Sequence, residues 1–148
     1  MQIKLITDYE KIKEAYDDLS PVLSIHYPEF EKWYNKKVLT RAVHRTHYMY
    51  FLYIGGHVAG YLIMKNTIKE KKICTLFVKE EFRKRRAADY MFKFAIETLK
   101  TETPIFSLPE SLIPYYKKLL EKYSFKLKCI YLDYYMEKEN IYYYNGYH

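Results

Sequence analysis

A continuous apolar run at residues 73–78, followed at once by a basic loop and a long amphipathic helix, constrains the fold of this chain most. Few polar residues interrupt the run, which is typical of a strand covered on both faces. A short strand at residues 104–107 follows the helix, which predicts a right-handed parallel pair inside a mixed sheet. The helix carries one apolar stripe: Ala88, Met91, Phe92, Ala95, Ile96 and Leu99.

The N-terminal third is predicted to hold a strand and two helices. Residues 2–6 alternate like a short strand, and Thr7 with Glu10 has the pattern of a helix-capping box. The helix that begins there is expected to stop at Ser20-Pro21. A second helix is expected to start near Pro28 and to fade around His44. Its apolar side would carry Phe30, Trp33, Tyr34 and Val38.

Strands dominate the remainder of the chain. Residues 48–54 and 58–64 are typical of a hairpin that turns at Gly55-Gly56. Ser111 is a candidate cap for a last helix, and strand-like residues 125–136 and 141–144 close the chain. The predicted order is β-α-α-β-β-β-α-β-α-β-β, which indicates one α/β domain over residues 1–148.

Composition limits the partners of such a domain. The formal net charge of +7 suits an acidic or phosphorylated ligand, or a nucleic acid. Cys74 and Cys129 both lie in strand-like stretches without CxxC spacing, which predicts free thiols in a reducing cytoplasm, not a zinc site or a disulfide framework. No apolar run marks a signal peptide at the N-terminus, and no uninterrupted apolar window predicts a membrane span.

The segment between the buried strand and the long helix is the best candidate for a binding site. A loop that turns directly into a helix presents unpaired backbone N–H groups and the positive end of the helix dipole, which suits a pyrophosphate. Four consecutive cations add attraction for phosphate: Arg83, Lys84, Arg85 and Arg86. From charge alone, a solvated basic loop without a ligand remains the alternative.

Two segments and the order of elements resemble the GNAT acetyltransferase superfamily. The signature of that family, Arg/Gln-x-x-Gly-x-Gly/Ala, follows a strand that ends in an apolar-x-Val pattern. Arg83 matches its first position and Ala88 its last, directly after strand residues 74–78. Downstream, residues 119–126 resemble the closing motif of the family, in which a Gly-Phe pair follows a helix. The resemblance spans roughly residues 3–136.

The resemblance implies a mostly antiparallel sheet with one splayed parallel pair, flanked by helices, and an acetyl-CoA site beside it. The backbone of Leu76, Phe77 and Val78 would pair with the pantetheine arm. The acyl thioester would point into the cleft between the central strands, where an amine attacks it directly. The pyrophosphate would be held by the backbone amides of Arg83, Lys84, Arg85, Arg86, Ala87 and Ala88.

The phosphate loop departs from the family pattern at two positions. Arg86 replaces the inner glycine, and Lys84 stands where a second glycine is common. Glycine permits close approach of a phosphate because it has no Cβ. With a helical φ and ψ, Arg86 would still present its amide to a ligand.

The closing motif also departs from the family, at the position of the general acid. Family members often carry a Tyr five residues before the Phe, placed to protonate the leaving thiolate, and Leu120 stands there. Tyr116, one helical turn earlier on the same face, is the candidate catalytic residue, and a core-facing ring is the alternative. Tyr115 and Tyr123 are weaker candidates.

A general base is not identified by the sequence. The pair Glu80-Glu81 lies beside the cofactor segment, where it is expected to offset the basic run. His57 is expected to be a hairpin residue, and no two histidines have metal-ligand spacing, so no metal is predicted. Three histidines lie where they could contact a substrate: His26, His44 and His47.

Three functions are compatible with these features. The first is an acyl-CoA-dependent N-acetyltransferase that moves an acetyl group from acetyl-CoA to a primary amine. The second is a catalytically degenerate GNAT-like protein that binds nucleic acid or another polyanion, with tyrosines available for base stacking. The third is an interaction module or a toxin/antitoxin-like partner whose Tyr-rich C-terminal strand mediates assembly; monomer and homodimer are both open. The 19 tyrosines are compatible with rings in a half-wet cleft or at an interface, and a coding bias is the alternative explanation.

Overall fold

The structure of the protein is a computed structural model that describes residues 1–39, 46–132 and 139–146. The strands are β1 (Gln2–Ile6), β2 (His47–Ile54), β3 (His57–Asn66), β4 (Lys71–Val78), β5 (Ile105–Pro109), β6 (Leu127–Tyr131) and β7 (Ile141–Tyr144). The α-helices are α1 (Tyr9–His26), α2 (Phe30–Trp33), α3 (Ala87–Leu99) and α4 (Ile113–Lys122). Wider π-helical turns continue α2 over Tyr34–Leu39, and short 3₁₀ turns cover Glu80–Phe82 and Glu110–Leu112.

These elements confirm the predicted order and the predicted mixed sheet. Seven strands form one sheet in the order β1-β2-β3-β4-β5-β7-β6. All neighbours are antiparallel except β4 and β5, which are parallel and joined through α3. The predicted hairpin between β2 and β3 turns at Gly55 and Gly56, whose φ angles of 58° and 80° are the positive values that such a tight turn requires.

The parallel strands separate almost as soon as they meet. β4 and β5 share two residue pairs, the second of which joins Ile73 to Phe106. The next residue, Cys74, is an extra residue in β4, because two consecutive residues of β3 oppose Ile73 and Thr75. A bulge of this kind bends a strand and increases its twist. The bulge therefore marks the point at which β4 leaves β5 and the sheet opens.

Two apolar cores lie on opposite faces of the sheet. On one face, α3 and α4 pack around Phe92, whose ring stacks on Tyr123 at 6.0 Å and meets Phe106 edge-on at 5.2 Å. On the other face, α1 and α2 pack over the sheet around Tyr34, which is fully buried and donates its hydroxyl hydrogen to the carbonyl of Ile12. β4 is covered on both faces, as its apolar sequence predicts, because Leu76 belongs to the first core and Phe77 packs against the second.

The prediction that α1 stops at Ser20-Pro21 is wrong. The helix runs on to His26, with Pro21 inside it. Proline removes one backbone hydrogen bond, but the amphipathic face of α1 is anchored on the sheet through Ile12, Ala15 and Leu19, and this packing outweighs the local penalty. The helix is capped one residue later than predicted: Asp8, not Thr7, is the cap, and its side chain accepts the N–H of Glu10 at 2.9 Å.

Three other predicted boundaries also differ. Ser111 does not cap the last helix: its hydroxyl bonds to Glu139, and α4 begins with Pro114 in its first turn instead. The second helix begins at Phe30, two residues after Pro28. Strand β6 is shorter than the predicted strand over residues 125–136, and residues 133–136 lie outside the described residues. The predicted end of the second helix near His44 also lies outside them. No helix in the described ranges combines the length and the hydropathy that crossing a membrane requires.

Candidate active site between the splayed strands

The loop that joins β4 to α3 has the backbone shape of a glycine loop without any glycine. Lys84 and Arg86 have φ angles of 65° and 59°, both in the left-handed region. For a residue with a Cβ, that conformation costs about 1 kcal/mol or more of free energy. These are the two positions where the family pattern has glycine, and Arg86 is left-handed, not right-handed helical. The loop therefore retains the backbone path at an energetic cost.

The left-handed residue Arg86 precedes α3, and the first amides of the helix have no acceptor within it. The first hydrogen bond of the helix runs from the N–H of Tyr90 to the carbonyl of Arg86, at 3.0 Å. The N–H groups of Ala87, Ala88 and Asp89 precede that bond and have no acceptor within the helix. The Asp89 side chain points elsewhere, because it accepts from Lys122 and from the hydroxyl of Tyr123 on α4. These hydrogen bonds lower the pKa of the Asp89 carboxyl and tie the start of α3 to the end of α4.

Two side chains reach back to the edge of β4 that faces the opening. Arg83 donates from Nε to the carbonyl of Val78 at 3.1 Å, and Tyr116 donates from its hydroxyl to the carbonyl of Leu76 at 3.1 Å. The backbone carbonyls of alternate residues point to the same edge of a strand, so the carbonyls of Leu76 and Val78 both face away from β3. The structure thus brings three of the predicted site regions together: strand residues 76–78, the basic loop and Tyr116.

A cavity of about 370 Å³ fills the opening between β4 and β5. Leu76 and Phe106 line it from the core under α3 and α4, whereas Phe30 and Trp33 line it from the side of α2. The splay therefore joins the two faces of the sheet through one cavity. Thr75, which was not singled out from the sequence, lines it too; the bulge at Cys74 could not be read from residue types alone.

Tyr116 lies at this cavity and not only in the core. Its ring meets Phe106 edge-on at 5.7 Å, and the residue is part of the cavity lining. Burial raises the pKa of the Tyr116 hydroxyl to about 12, although Arg83 acts in the opposite direction. The hydroxyl therefore keeps its proton at neutral pH. Leu120, which replaces the usual tyrosine of the family, is buried and has no hydroxyl to offer.

His47 is a neutral histidine in the wall of the same cavity. Its ring meets Trp33 edge-on at 5.8 Å, and its Nδ1 lies 2.9 Å from Thr46 Oγ1. Burial and then the nearby charges of Lys65, Lys37 and Lys72 lower the pKa of His47 to about 4, against a smaller opposing effect of Glu70. The imidazole is therefore uncharged at neutral pH and can accept a hydrogen bond.

The other titratable candidates lie elsewhere or have other partners. Glu80 and Glu81 are exposed in the 3₁₀ turn before the loop. His26 Nδ1 lies 2.9 Å from Glu139 Oε2, His57 is exposed at the start of β3, and His44 lies outside the described residues. Among the residues that the structure describes, no cluster of His, Cys, Asp or Glu could hold a metal ion.

Cys74 lines the cavity but is not an activated nucleophile. Burial raises the pKa of its thiol to about 11, while Lys72 and Lys65 oppose this shift. The thiolate is the reactive form of cysteine, and at neutral pH very little of it is present. A covalent acyl-cysteine route is therefore disfavoured at this site.

Several solved structures of acetyltransferases are similar to this chain. An acetyltransferase of Bacillus subtilis in complex with CoA has a TM-score of 0.71 at 18% identity, covering 97% of this chain and 96% of the other. An IAA acetyltransferase of Bacillus cereus has a TM-score of 0.70 at 18% identity, with coverages of 97% and 96%. A GNAT-family acetyltransferase of Elizabethkingia anophelis with acetyl-CoA bound has a TM-score of 0.58 at 13% identity, with coverages of 73% and 80%.

No protein-family model and no curated protein sequence matches the chain. At these identities the comparisons establish architecture, and that architecture is the one expected from the order of elements. The chain has the fold of the GNAT acetyltransferases, with a mostly antiparallel sheet, one splayed parallel pair and flanking helices.

The low pKa of His47 predicts a specific loss of stability in acid. The unfolded chain binds a proton near pH 6.5 and the folded chain only near pH 4, so the stabilising effect of neutral His47 is complete above pH 6.5 and declines as the pH falls towards 4. Between pH 7 and pH 4.5 the wild type should lose about 2 to 3 kcal/mol relative to a His47→Gln variant. Urea unfolding of both proteins at the two pH values measures this difference; parallel changes would contradict the assignment.

Proposed function

We propose that this protein is an N-acetyltransferase that uses acetyl-CoA as the acyl donor and a primary amine as the acceptor. The observation that carries the proposal is the opening between β4 and β5, in which one cavity connects the two faces of the sheet. Donor and acceptor could therefore enter from opposite sides and meet between the strands. The fold similarity to acetyltransferases that contain CoA or acetyl-CoA supports the same reading.

The residues present fit a CoA pyrophosphate. The left-handed backbone at Lys84 and Arg86 is maintained at an energetic cost, which is typical of functional loops. The amides of Ala87 and Ala88 at the start of α3 would hold the anion, with the helix dipole and the four exposed cations of residues 83–86 adding attraction. The pantetheine arm would lie along Leu76, Phe77 and Val78.

Acetyl-CoA supplies an acyl carbon activated as a thioester. In the transfer a C–N bond to the acceptor forms, the C–S bond breaks, the amine loses one proton and the departing sulfur gains one. Direct attack is favoured over a covalent enzyme intermediate because the Cys74 thiol is kept protonated.

Tyr116 is proposed to stabilise the leaving sulfur. It lies beside the β4 edge, and the high pKa of its hydroxyl keeps the proton in place at neutral pH. A hydroxyl with a pKa of about 12 acts mainly as a hydrogen-bond donor, since full transfer to a thiolate is uphill. It would have to turn from the Leu76 carbonyl towards the sulfur during the reaction.

A polyanion-binding protein without transfer activity is the second candidate. The specific observation in its favour is that Lys84, Arg85 and Arg86 are all exposed, so they are available to a nucleic acid as well as to CoA. The strained backbone of the loop weighs against it, because attraction by charge alone does not require left-handed residues.

The cytoplasmic location suggested by the two free cysteines stays a prediction.

A matched pair of charge reversals tests the cofactor site. Lys84 and Lys100 are both exposed, both have left-handed backbone and lie at opposite ends of α3. Lys84→Glu should weaken CoA binding roughly tenfold or more, because it places a carboxylate beside the phosphates. Lys100→Glu should leave binding unchanged. Calorimetric titration with CoA makes the measurement, and equal affinities of the two variants would exclude the loop as the phosphate site.

Removing one hydroxyl tests the catalytic assignment. Tyr116→Phe should lower kcat by roughly a hundredfold while CoA affinity stays within about twofold, since a general acid or its hydrogen bond acts on the transition state. The control is Tyr115→Phe, which alters the adjacent tyrosine, 75% exposed on α4. The assay follows release of free CoA thiol. If Tyr116→Phe retained full kcat, the hydroxyl would have only a structural role.

A further inference from the structure

Three basic side chains lie in one row across the sheet at the α2 side of the cavity, the side away from the basic loop. His47 on β2 is opposite Lys65 on β3, and Lys65 is opposite Lys72 on β4. Directly opposed residues of neighbouring antiparallel strands share a face, and the contact between His47 and Trp33 places that face under α2. All three members of this row, called the basic row here, line the cavity.

Such a row lowers the stability of the folded state, so its presence calls for a functional explanation. Like charges directly opposite each other on adjacent strands are destabilising, and Lys65 and Lys72 are half-buried. A fourth basic residue, Lys37, approaches from the turns that follow α2 and also lines the cavity. Residues that lower local stability are concentrated at functional sites. The basic row is therefore best explained by a ligand that carries negative charge.

The carboxylates around the cavity compensate only in part. Glu70 forms an ion pair with Lys65, with 2.9 Å between Oε1 and Nζ. Among the described residues of the lining, Glu29 is the other acidic one, so the lysines there outnumber the carboxylates by three to two. With His47 neutral, the described residues give the α2 side of the cavity a net positive charge. A polyamine or a lysine side chain without an acidic group would be repelled there.

The remaining walls define the size and the body of the ligand. Aromatic rings of Tyr27, Phe30 and Trp33 form the wall beneath α2. A volume of about 370 Å³ lies near the lower end of the roughly 300–1,000 Å³ that small-molecule sites occupy. These features suit a small molecule with an apolar body better than a folded partner.

We propose that the acceptor is a small primary amine that also carries an acidic group, held by the basic row of His47, Lys65 and Lys72 with Lys37 above it. The inference rests on the proposed function and specifies its acceptor. A carboxylate and a phosphate share the required chemistry. The acidic group lies at the lysines, the apolar body against the aromatic wall, and the amine is free to face the opening between β4 and β5.

Trp33 gives a direct binding signal, because it is the only tryptophan in the chain and it lines the cavity. The probes are the apolar amino acids for the carboxylate and phosphoethanolamine for the phosphate. Their matched partners, which keep the amine but lack the acidic group, are the amino-acid amides and ethanolamine. At least one acidic probe should change Trp33 fluorescence at a concentration roughly tenfold to a hundredfold lower than its partner without the acidic group requires.

Lysine variants test whether the preference for acidic probes comes from the basic row. Lys72→Gln should abolish the preference for the acidic probe, and Lys37→Gln provides a second test if the first variant does not fold. Lys69→Gln removes an exposed lysine of the same β3–β4 connection and should change nothing. In the transfer assay with acetyl-CoA, kcat/KM for the acidic probe should exceed that for its partner by a similar factor.

The outcomes separate this inference from the proposed function. A protein that binds CoA but accepts amides or polyamines as well as acids overturns the inference and leaves the acetyltransferase in place. The same holds if no acid of the panel alters Trp33 fluorescence. A protein that responds to the acids but does not bind CoA retains the anion site and loses the proposed function.

Discussion

One extra residue in β4 is the constraint on which the rest of the site depends. The bulge at Cys74 follows directly after the last pair between β4 and β5, and from there the strands diverge. Without that divergence the central sheet would be closed, and the two faces would be separate compartments. The opening exposes backbone acceptors of β4, admits the Tyr116 hydroxyl from α4, and produces the cavity that reaches the aromatic wall under α2.

The positive charge of the protein is divided between two places with different roles. One is the exposed loop of residues 83–86 at the start of α3, which suits phosphates approaching from solvent. The other is the half-buried basic row on the opposite face, around Lys65 and Lys72. Because the sheet lies between them, two anionic ligands could be held at once without competing. Burial, and then Lys65, Lys37 and Lys72 on this face, lower the pKa of His47; no residue of the loop contributes to this shift.

The sequence predicted those features of the fold that depend on local patterns of residues. Apolar periodicity and turn residues were sufficient for the element order, the Gly55-Gly56 hairpin and the parallel pair. Tyr116 became a candidate only through the family resemblance, and in the structure its hydroxyl bonds to the carbonyl of Leu76. The sequence failed where tertiary contacts decide: Pro21 lies inside a helix held by packing, and Ser111 has a distant partner, Glu139. The basic row was missed because its members, far apart in sequence, become neighbours only through strand register.

Thermal unfolding with and without excess acetyl-CoA tests the central claim most directly, with CoA, ATP and a mixed oligonucleotide pool as comparison ligands. A ligand at about a hundred times its dissociation constant stabilises the native state by roughly 2.7 kcal/mol, which shifts the midpoint of a domain of this size by several degrees. The account predicts that shift with acetyl-CoA and CoA and little with ATP. No shift with CoA, together with a salt-sensitive shift with the oligonucleotides, would contradict it and identify the basic loop as a polyanion site.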